Sequence, residues 1–378
     1  MPVNPDKLMI YIGTYTDGDS KGIYRCELDL ANGELSLCDL ATEAVHPSFL
    51  AVHPSRPLLY SVNEIGDYEG KSSGAVSAFT IEAKTGRLNL LNRQPSLGAA
   101  PCYLSVDPSG IYLMVANYNG GSVACFPIRE DGGLDEASTF VEHQGSSIHP
   151  TRQLGPHAHC IKPDPAGRFA FVPDLGQDKI VIYSLTEKGS GTFCAKHPSG
   201  RWGKRCLTPF SSVDMKPGAG PRHIVFSKDA RHAYVVNELS STISAFRYDA
   251  QSGTLYPLAE ISTLPEDFIG ENTAAEIALH PSGRFLYASN RGHDSIAIFE
   301  IDPENGKPQV RGHQPSLGKG PRHFCITPAG EYLLTANQHS DNITVFAIDT
   351  DSGELCPTTT SLKVASPVYL LPVQTHGE

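Results

Sequence analysis

Hydrophobic residues fall in short runs broken by Pro, Gly, Asn and Asp, and no segment has the apolar period of a long helix. The stretch from Gly320 to Asn337 shows the unit most clearly. One run, Phe324-Cys325-Ile326, ends at Thr327-Pro328-Ala329-Gly330, where Pro sets φ and Gly relieves a tight turn. A second run from Tyr332 then climbs through apolar residues to Asn337. The pattern predicts strand, turn, strand.

The same unit recurs along the chain. An Asn, or an Asp in its place, lies seven residues after the turn residue in six copies: Arg56 and Asn63, Gly110 and Asn117, Gly167 and Asp174, Ala230 and Asn237, Gly283 and Asn290, Gly330 and Asn337. A constant spacing inside the unit with variable spacing between units marks one supersecondary element reused. Each copy continues into a further alternating run, such as Ser295 to Asp302, then a turn, Pro303-Glu304-Asn305-Gly306, and a weaker fourth strand. Four antiparallel strands per roughly 50 residues is the size of a propeller blade.

Six such blades leave strands over at both ends. The N-terminal part supplies three, Leu8 to Tyr15, Gly22 to Asp29 and Glu34 to Ala41, and the C-terminal part supplies one, Ser366 to Leu371. Together they predict a seventh blade whose inner strand comes from the C-terminus, a clasp that removes a free sheet edge. The expected fold is therefore all-β: a seven-bladed β-propeller of four-stranded antiparallel blades, closed by a shared N-/C-terminal blade. No low-complexity linker interrupts the repeat, so residues 1–378 read as one domain.

Composition narrows the function. A formal charge of −11 argues against a nucleic-acid partner, though a few arginines in one cleft can still bind an anion. No apolar run approaches the roughly 18 residues of a membrane span, and Met1 to Lys7 lacks the features of a signal peptide, so no membrane association and a cytoplasmic location are expected. The 9 cysteines contain no CxxC pair and read as small core hydrophobes in a reducing compartment.

Blade geometry says which residues can meet. The start of inner strand A and the end of strand B share one rim, and the Pro-x-Gly turns lie on the other. The first rim collects His157, His159, Arg222, His223, Glu276, Arg322 and His323 from the starts of A, with Asn63-Glu64, Asn117-Tyr118, Asp174, Asn237-Glu238, Asn290-Arg291 and Asn337-Gln338 from the ends of B. The Asn residues read first as structural, bonding the backbone of a neighbouring blade. Glu238 reads equally as an ion-pair partner of Arg222 or Arg291 and as a catalytic carboxylate. His157 and His159, two apart, would point the same way on a strand; with no third ligand motif, the reading includes no metal and no cofactor.

Gly220-Pro221-Arg222-His223 with Asn237-Glu238, the run Pro156-His157-Ala158-His159, and Ser289-Asn290-Arg291-Gly292 resemble the seven-bladed propeller lactonase family. That family includes bacterial propeller-type 6-phosphogluconolactonases and fungal 3-carboxy-cis,cis-muconate lactonising enzymes, and the likeness spans essentially the whole chain. The resemblance implies a lactone-handling enzyme, with the cyclase's proposed His, Arg, Glu and Arg corresponding to His159, Arg222, Glu238 and Arg291; His157 is an alternative to His159. His157, His223, Glu276, Arg322 and His323 are then candidate substrate-binding residues. The expected partner is a small anionic lactone, with 6-phosphoglucono-1,5-lactone of the pentose phosphate pathway foremost, and the chain itself is expected as a monomer or weak homo-oligomer.

The chemistry can be argued from residue types alone. Opening a sugar lactone needs an activated water, donors for the oxyanion and an anchor for the substrate's anion. His157, His159 or Glu238 could take the proton, and arginine forks suit the oxyanion and the anion. No Gly-x-Ser-x-Gly elbow is present. Carboxymuconate cyclisation would use the same groups, and a non-catalytic binding platform is the reading from another class. Two segments stand apart: an insertion between Leu185 and Lys216 with Lys196, His197, Arg201, Trp202, Lys204 and Arg205, read as a solvated loop or subunit contact, and the loop Gly66 to Gly74, a candidate lid.

Overall fold

The inner strands of seven sheets surround a common axis in the computed structural model, which describes residues 6–186 and 206–373. All 28 strands belong to seven four-stranded antiparallel sheets, numbered here as blades 1 to 7, with strands A to D running from the axis outwards. Strand A is Leu50–Val52 in blade 2, Pro101–Val106 in blade 3, Lys162–Pro163 in blade 4, Pro221–Phe226 in blade 5, Thr273–Leu279 in blade 6 and Pro321–Ile326 in blade 7.

Blade 1 is the clasp that the leftover strands predict. Its strand A is Pro367–Val373, followed outwards by Lys7–Thr14, Gly22–Asp29 and Leu35–Glu43. The closing pair is antiparallel, from Met9 opposite Val373 to Thr14 opposite Pro367. The basic residues of the insertion, Lys196, His197, Arg201, Trp202, Lys204 and Arg205, lie outside the described residues.

The repeated sequence positions have physical roles. The turn between A and B needs a left-handed residue, and Gly110, Gly167, Gly283 and Gly330 supply it; Ala230 adopts it too, at φ 53°. The Asn at the end of B is structural, as expected. Its amide donates to a carbonyl of the connection arriving from the preceding blade: Asn63 to Val45 at 2.7 Å, Asn117 to Ser96 at 3.1 Å, Asn290 to Thr263 at 2.7 Å and Asn337 to Ser316 at 3.3 Å. A second device couples the blades near the opposite rim. Tyr11, Tyr60, Tyr234 and Tyr287, all fully buried on B strands, donate to the carbonyls of Gly86, Gly132, Gly306 and Gly353 in the C–D turn of the next blade, at 2.7, 3.0, 2.9 and 2.9 Å. Between these polar ties the faces of adjacent sheets pack apolar side chains.

Bulges at the start of strand A position the site. In blade 5 Pro221 pairs with Asn237, but the next pair is His223 with Val236. Blades 3 and 7 shift likewise, between Pro101 and Tyr103 and between Pro321 and His323, and blade 6 between Ala274 and Ile277. Regular alternation would send neighbours to opposite faces, whereas a bulge turns both towards one side. Arg222 and His223 thus both reach the axis, with Nη1 of Arg222 3.2 Å from Nε2 of His223.

Candidate active site

Glu238, the residue after strand B of blade 5 (His232–Asn237), is the hub of the charged cluster and is 3 % exposed. Its backbone is fixed by a bond from its own N–H to the Gly220 carbonyl (2.7 Å) and by one from Ala274 N–H to its carbonyl (3.2 Å). Its Oε1 accepts from Nη2 of Arg152 at 2.6 Å. Its Oε2 lies 3.0 Å from both Nε of Arg222 and Nη2 of Arg291, and 3.8 Å from Nε2 of His159.

Three guanidinium groups around one carboxylate decide its state. Burial opposes ionisation, but the charges of Arg291, Arg222 and Arg152 overcome it and hold Glu238 well below the usual carboxylate range. His159 moves the other way from an ordinary imidazole: burial, reinforced by the Arg222 charge, pushes it well below 6.5. At neutral pH the pair is therefore an uncharged imidazole beside a carboxylate. Burial also lowers Arg291, to about 10, which leaves it charged at neutral pH.

The other expected residues divide into two groups. Arg322 belongs to the charged cluster, donating from Nη2 to the Tyr15 hydroxyl at 2.7 Å; Tyr15 in turn donates to Glu64 at 2.9 Å, and the Ser48 hydroxyl also donates to Glu64. His157 stacks on Tyr118, with ring centroids 4.4 Å apart, while His159 meets the same ring edge-on at 5.2 Å. Their backbone is irregular, strand A of blade 4 being only Lys162–Pro163 and Ala158 forming a single bridge to Asp174. The strand geometry expected for the two histidines is thus absent, although both face Tyr118.

His223, Glu276 and His323 sit farther along the axis. Nδ1 of His223 and Nε2 of His323 lie 3.1 and 3.3 Å from the same Oε2 of Glu276. All three line a cavity of about 520 Å³ that is walled by Pro108, Pro165 and Leu279, residues of the turns and strand ends at the opposite rim. The sequence placed them on the Arg-rich rim. Their side chains lie deeper than that rim, between the arginine cluster and this cavity: they also share a small cavity with Arg222 and Arg322, the bulges at those arginines setting each following histidine one step farther down. Among the described residues no group of three or more His, Cys, Asp and Glu side chains is arranged to hold a metal ion.

Sequence reasoning placed Tyr118 on this rim without a role and did not include Arg152. Arg152 lies on the connection between strand D of blade 3 (Thr139–Glu142) and blade 4; it donates to Tyr118 (3.0 Å) as well as Glu238, with its side chain 37 % exposed. Arg152 and Arg291 form the inner end of a rim cleft of about 760 Å³. The loop Gly66 to Gly74 lines neither this cleft nor the axial cavity, and its base is tied to the connection between blades 2 and 3 by Gly74 N–H to Gly98 O at 2.8 Å. Counting Arg152, Arg222, Arg291 and Arg322 against Glu64, Glu238 and Glu276 leaves four formal positive and three negative charges. Lys319 and the acidic Glu271 and Asp294 also line the rim cleft, within a chain of net charge −11.

The family model described as lactonase, 7-bladed beta-propeller, matches residues 9–372. A 6-phosphogluconolactonase of Bacillus subtilis (strain 168) is 35% identical over 318 residues, covering 84% of each chain. A 6-phosphogluconolactonase of Formosa agariphila is 33% identical over 320 residues, covering 84% of this chain and 86% of the relative. Among solved structures, a periplasmic gluconolactonase of Pseudomonas aeruginosa superposes with a TM-score of 0.88 at 34% identity, covering 98% of this chain and 100% of that one.

Proposed function

Because the chain belongs to the seven-bladed β-propeller lactonase family, we propose that it hydrolyses 6-phosphoglucono-1,5-lactone to 6-phosphogluconate at the Glu238 cluster. The observation that carries this reading is an ionised carboxylate gripped by three guanidinium groups beside a neutral imidazole.

In the proposed mechanism a water attacks the lactone carbonyl carbon while His159 takes one of its protons. The Glu238 carboxylate, 3.8 Å away, stabilises the imidazolium that forms. Guanidinium N–H groups of Arg291 and Arg152, the two arginines that line the cleft, stabilise the oxyanion. Collapse of the tetrahedral intermediate breaks the bond to the ring oxygen, which leaves with the proton from His159. Arg222 holds Glu238 in place: it is 3 % exposed and already bonded to Glu238 and, at 2.7 Å, to the Ala275 carbonyl. Glu238 itself is already engaged by Arg152, Arg222 and Arg291, which hold it as the charge partner of His159 rather than as the group that takes the water's proton.

The same clamps would serve carboxymuconate cyclisation, but the named relatives favour hydrolysis. We take the whole chain to act as one domain, as a monomer or weak homo-oligomer. A cytoplasmic role in the pentose phosphate pathway fits the six cysteines whose side chains are described, all free thiols. The test is the loss of freshly generated 6-phosphoglucono-1,5-lactone above its spontaneous hydrolysis. Wild-type protein should accelerate it saturably, and His159→Gln and Arg152→Ala should each lower kcat/KM, the former by roughly 100-fold or more. A folded wild type that gives no acceleration would sink the assignment.

A further inference from the structure

The rim cleft is longer than a carbonyl and a water require. From Arg152 and Arg291 at its inner end it runs over the rim loops of blades 6 and 7, past Asn272 and Asp294, to Lys319 and His339. A phosphorylated sugar lactone is long in the same sense, with its reacting carbonyl at one end and its phosphate ester at the other.

The cations at the inner end are committed. Arg152, Arg222 and Arg291 each lie within 3.0 Å of Glu238, and Arg222 is nearly inaccessible. Lys319 differs: it is exposed, it lines the cleft, and its ammonium makes no ion pair among the described residues. Its backbone is nonetheless fixed. Lys319 N–H donates to the Ser340 hydroxyl at 2.7 Å, and its carbonyl accepts from His339 N–H at 3.0 Å. The next residue, Gly320, has φ 65°, and a Cβ there would come within 2.5 Å of the His339 ring. That glycine lets the imidazole lie against the backbone beside Lys319. The acidic groups of the cleft do not occupy the ammonium; Asp294 Oδ1 accepts from Gly320 N–H at 2.8 Å and Gly292 N–H at 3.4 Å.

Resting on the lactonase reading, we propose that Lys319, with His339 beside it, anchors the phosphate group of the substrate at the outer end of this cleft. It is a binding residue that selects phosphorylated over unphosphorylated lactones, and it takes no part in the bond-breaking step. A free phosphate ion presents the same chemistry and should compete for the same place.

The experiment compares hydrolysis of 6-phosphoglucono-1,5-lactone and of glucono-1,5-lactone by wild type, Lys319→Gln and Lys319→Arg, with inorganic phosphate as competitor. Lys319→Gln should lower kcat/KM for the phosphorylated lactone about tenfold, through KM, as expected for losing charge-assisted bonds to a phosphate. It should leave glucono-1,5-lactone unchanged and weaken inhibition by phosphate, while Lys319→Arg retains most of the preference. Equal losses on both lactones, no loss on either, or phosphate inhibition unaltered by the substitution would overturn the proposal while leaving the lactonase reading intact. Wild type inactive on both lactones would instead overturn that reading and this inference with it.

Discussion

Acid sensitivity should be concentrated in the buried histidines, and His323 allows the size of the effect to be worked out. Leu370 N–H donates to its Nδ1 at 3.2 Å, so the neutral ring carries its proton on Nε2, which faces Glu276 at 3.3 Å. Protonating the folded protein would set an N–H at Nδ1 against the Leu370 N–H. Burial is the main cause that brings His323 down to about 4, against an ordinary 6.5. The native state therefore binds fewer protons than the unfolded state between these values, and stability rises with pH there. The contribution is complete above about pH 6.5 and is lost as pH falls towards 4. A gap of roughly 2.5 units at about 1.4 kcal/mol each gives about 3 kcal/mol. His323→Gln keeps an acceptor for Leu370 and a donor for Glu276 but cannot titrate. Urea unfolding followed by far-UV circular dichroism between pH 7.5 and 4 should show wild type losing about 3 kcal/mol more than the variant over that interval. The other buried histidines and Glu238 are common to both proteins and largely cancel. A difference between wild type and variant that stays constant with pH would refute the reasoning.

Two other expectations concern the fold. Leu370, 1 % exposed on the closing strand, should cost about 2–5 kcal/mol when cut to Ala, read from urea unfolding midpoints; a loss below 1 kcal/mol would show that the clasp contributes little. Of the six cysteines whose side chains are described only Cys356 is exposed, while burial raises the thiols of Cys160 and Cys325 to about 12. Peptide mapping after brief alkylation at pH 8 should find Cys356 labelled and Cys102, Cys160 and Cys325 intact, and early labelling of Cys160 would contradict the packing.

The ring was legible because it repeats. A turn residue and an Asn, or in blade 4 an Asp, seven positions later recur through every blade from 2 to 7, and the leftover strands at the two ends required a shared sheet. The core of the site was legible for the same reason, since Arg222, Glu238 and Arg291 occupy repeat positions where most other blades carry different residue types. Arg152 was not, because it lies on an irregular connection where no period says which way a side chain points. Only the charge balance hints at it: a buried Glu238 with so many basic neighbours belongs to a network, and networks recruit from loops. The depth of His223, Glu276 and His323 was illegible for another reason. A β-bulge changes which face a residue takes without leaving a distinctive residue behind, so Arg-His reads as two neighbours on one rim until the register is seen.

The closing sheet also sets how the ring responds to force. Met9 and Val373 face each other at the outer end of an antiparallel pair, so tension applied through the two chain ends pulls that pair apart from one end. Its hydrogen bonds lie across the strands, along the direction of such a pull, and are loaded one after another rather than together. The seam that seals the ring against a free edge is thus a zipper under tension. Opened there, blade 1 loses its inner strand first, while Gly22–Asp29 remains paired to Lys7–Thr14 and Leu35–Glu43 to Gly22–Asp29 as the ring begins to part.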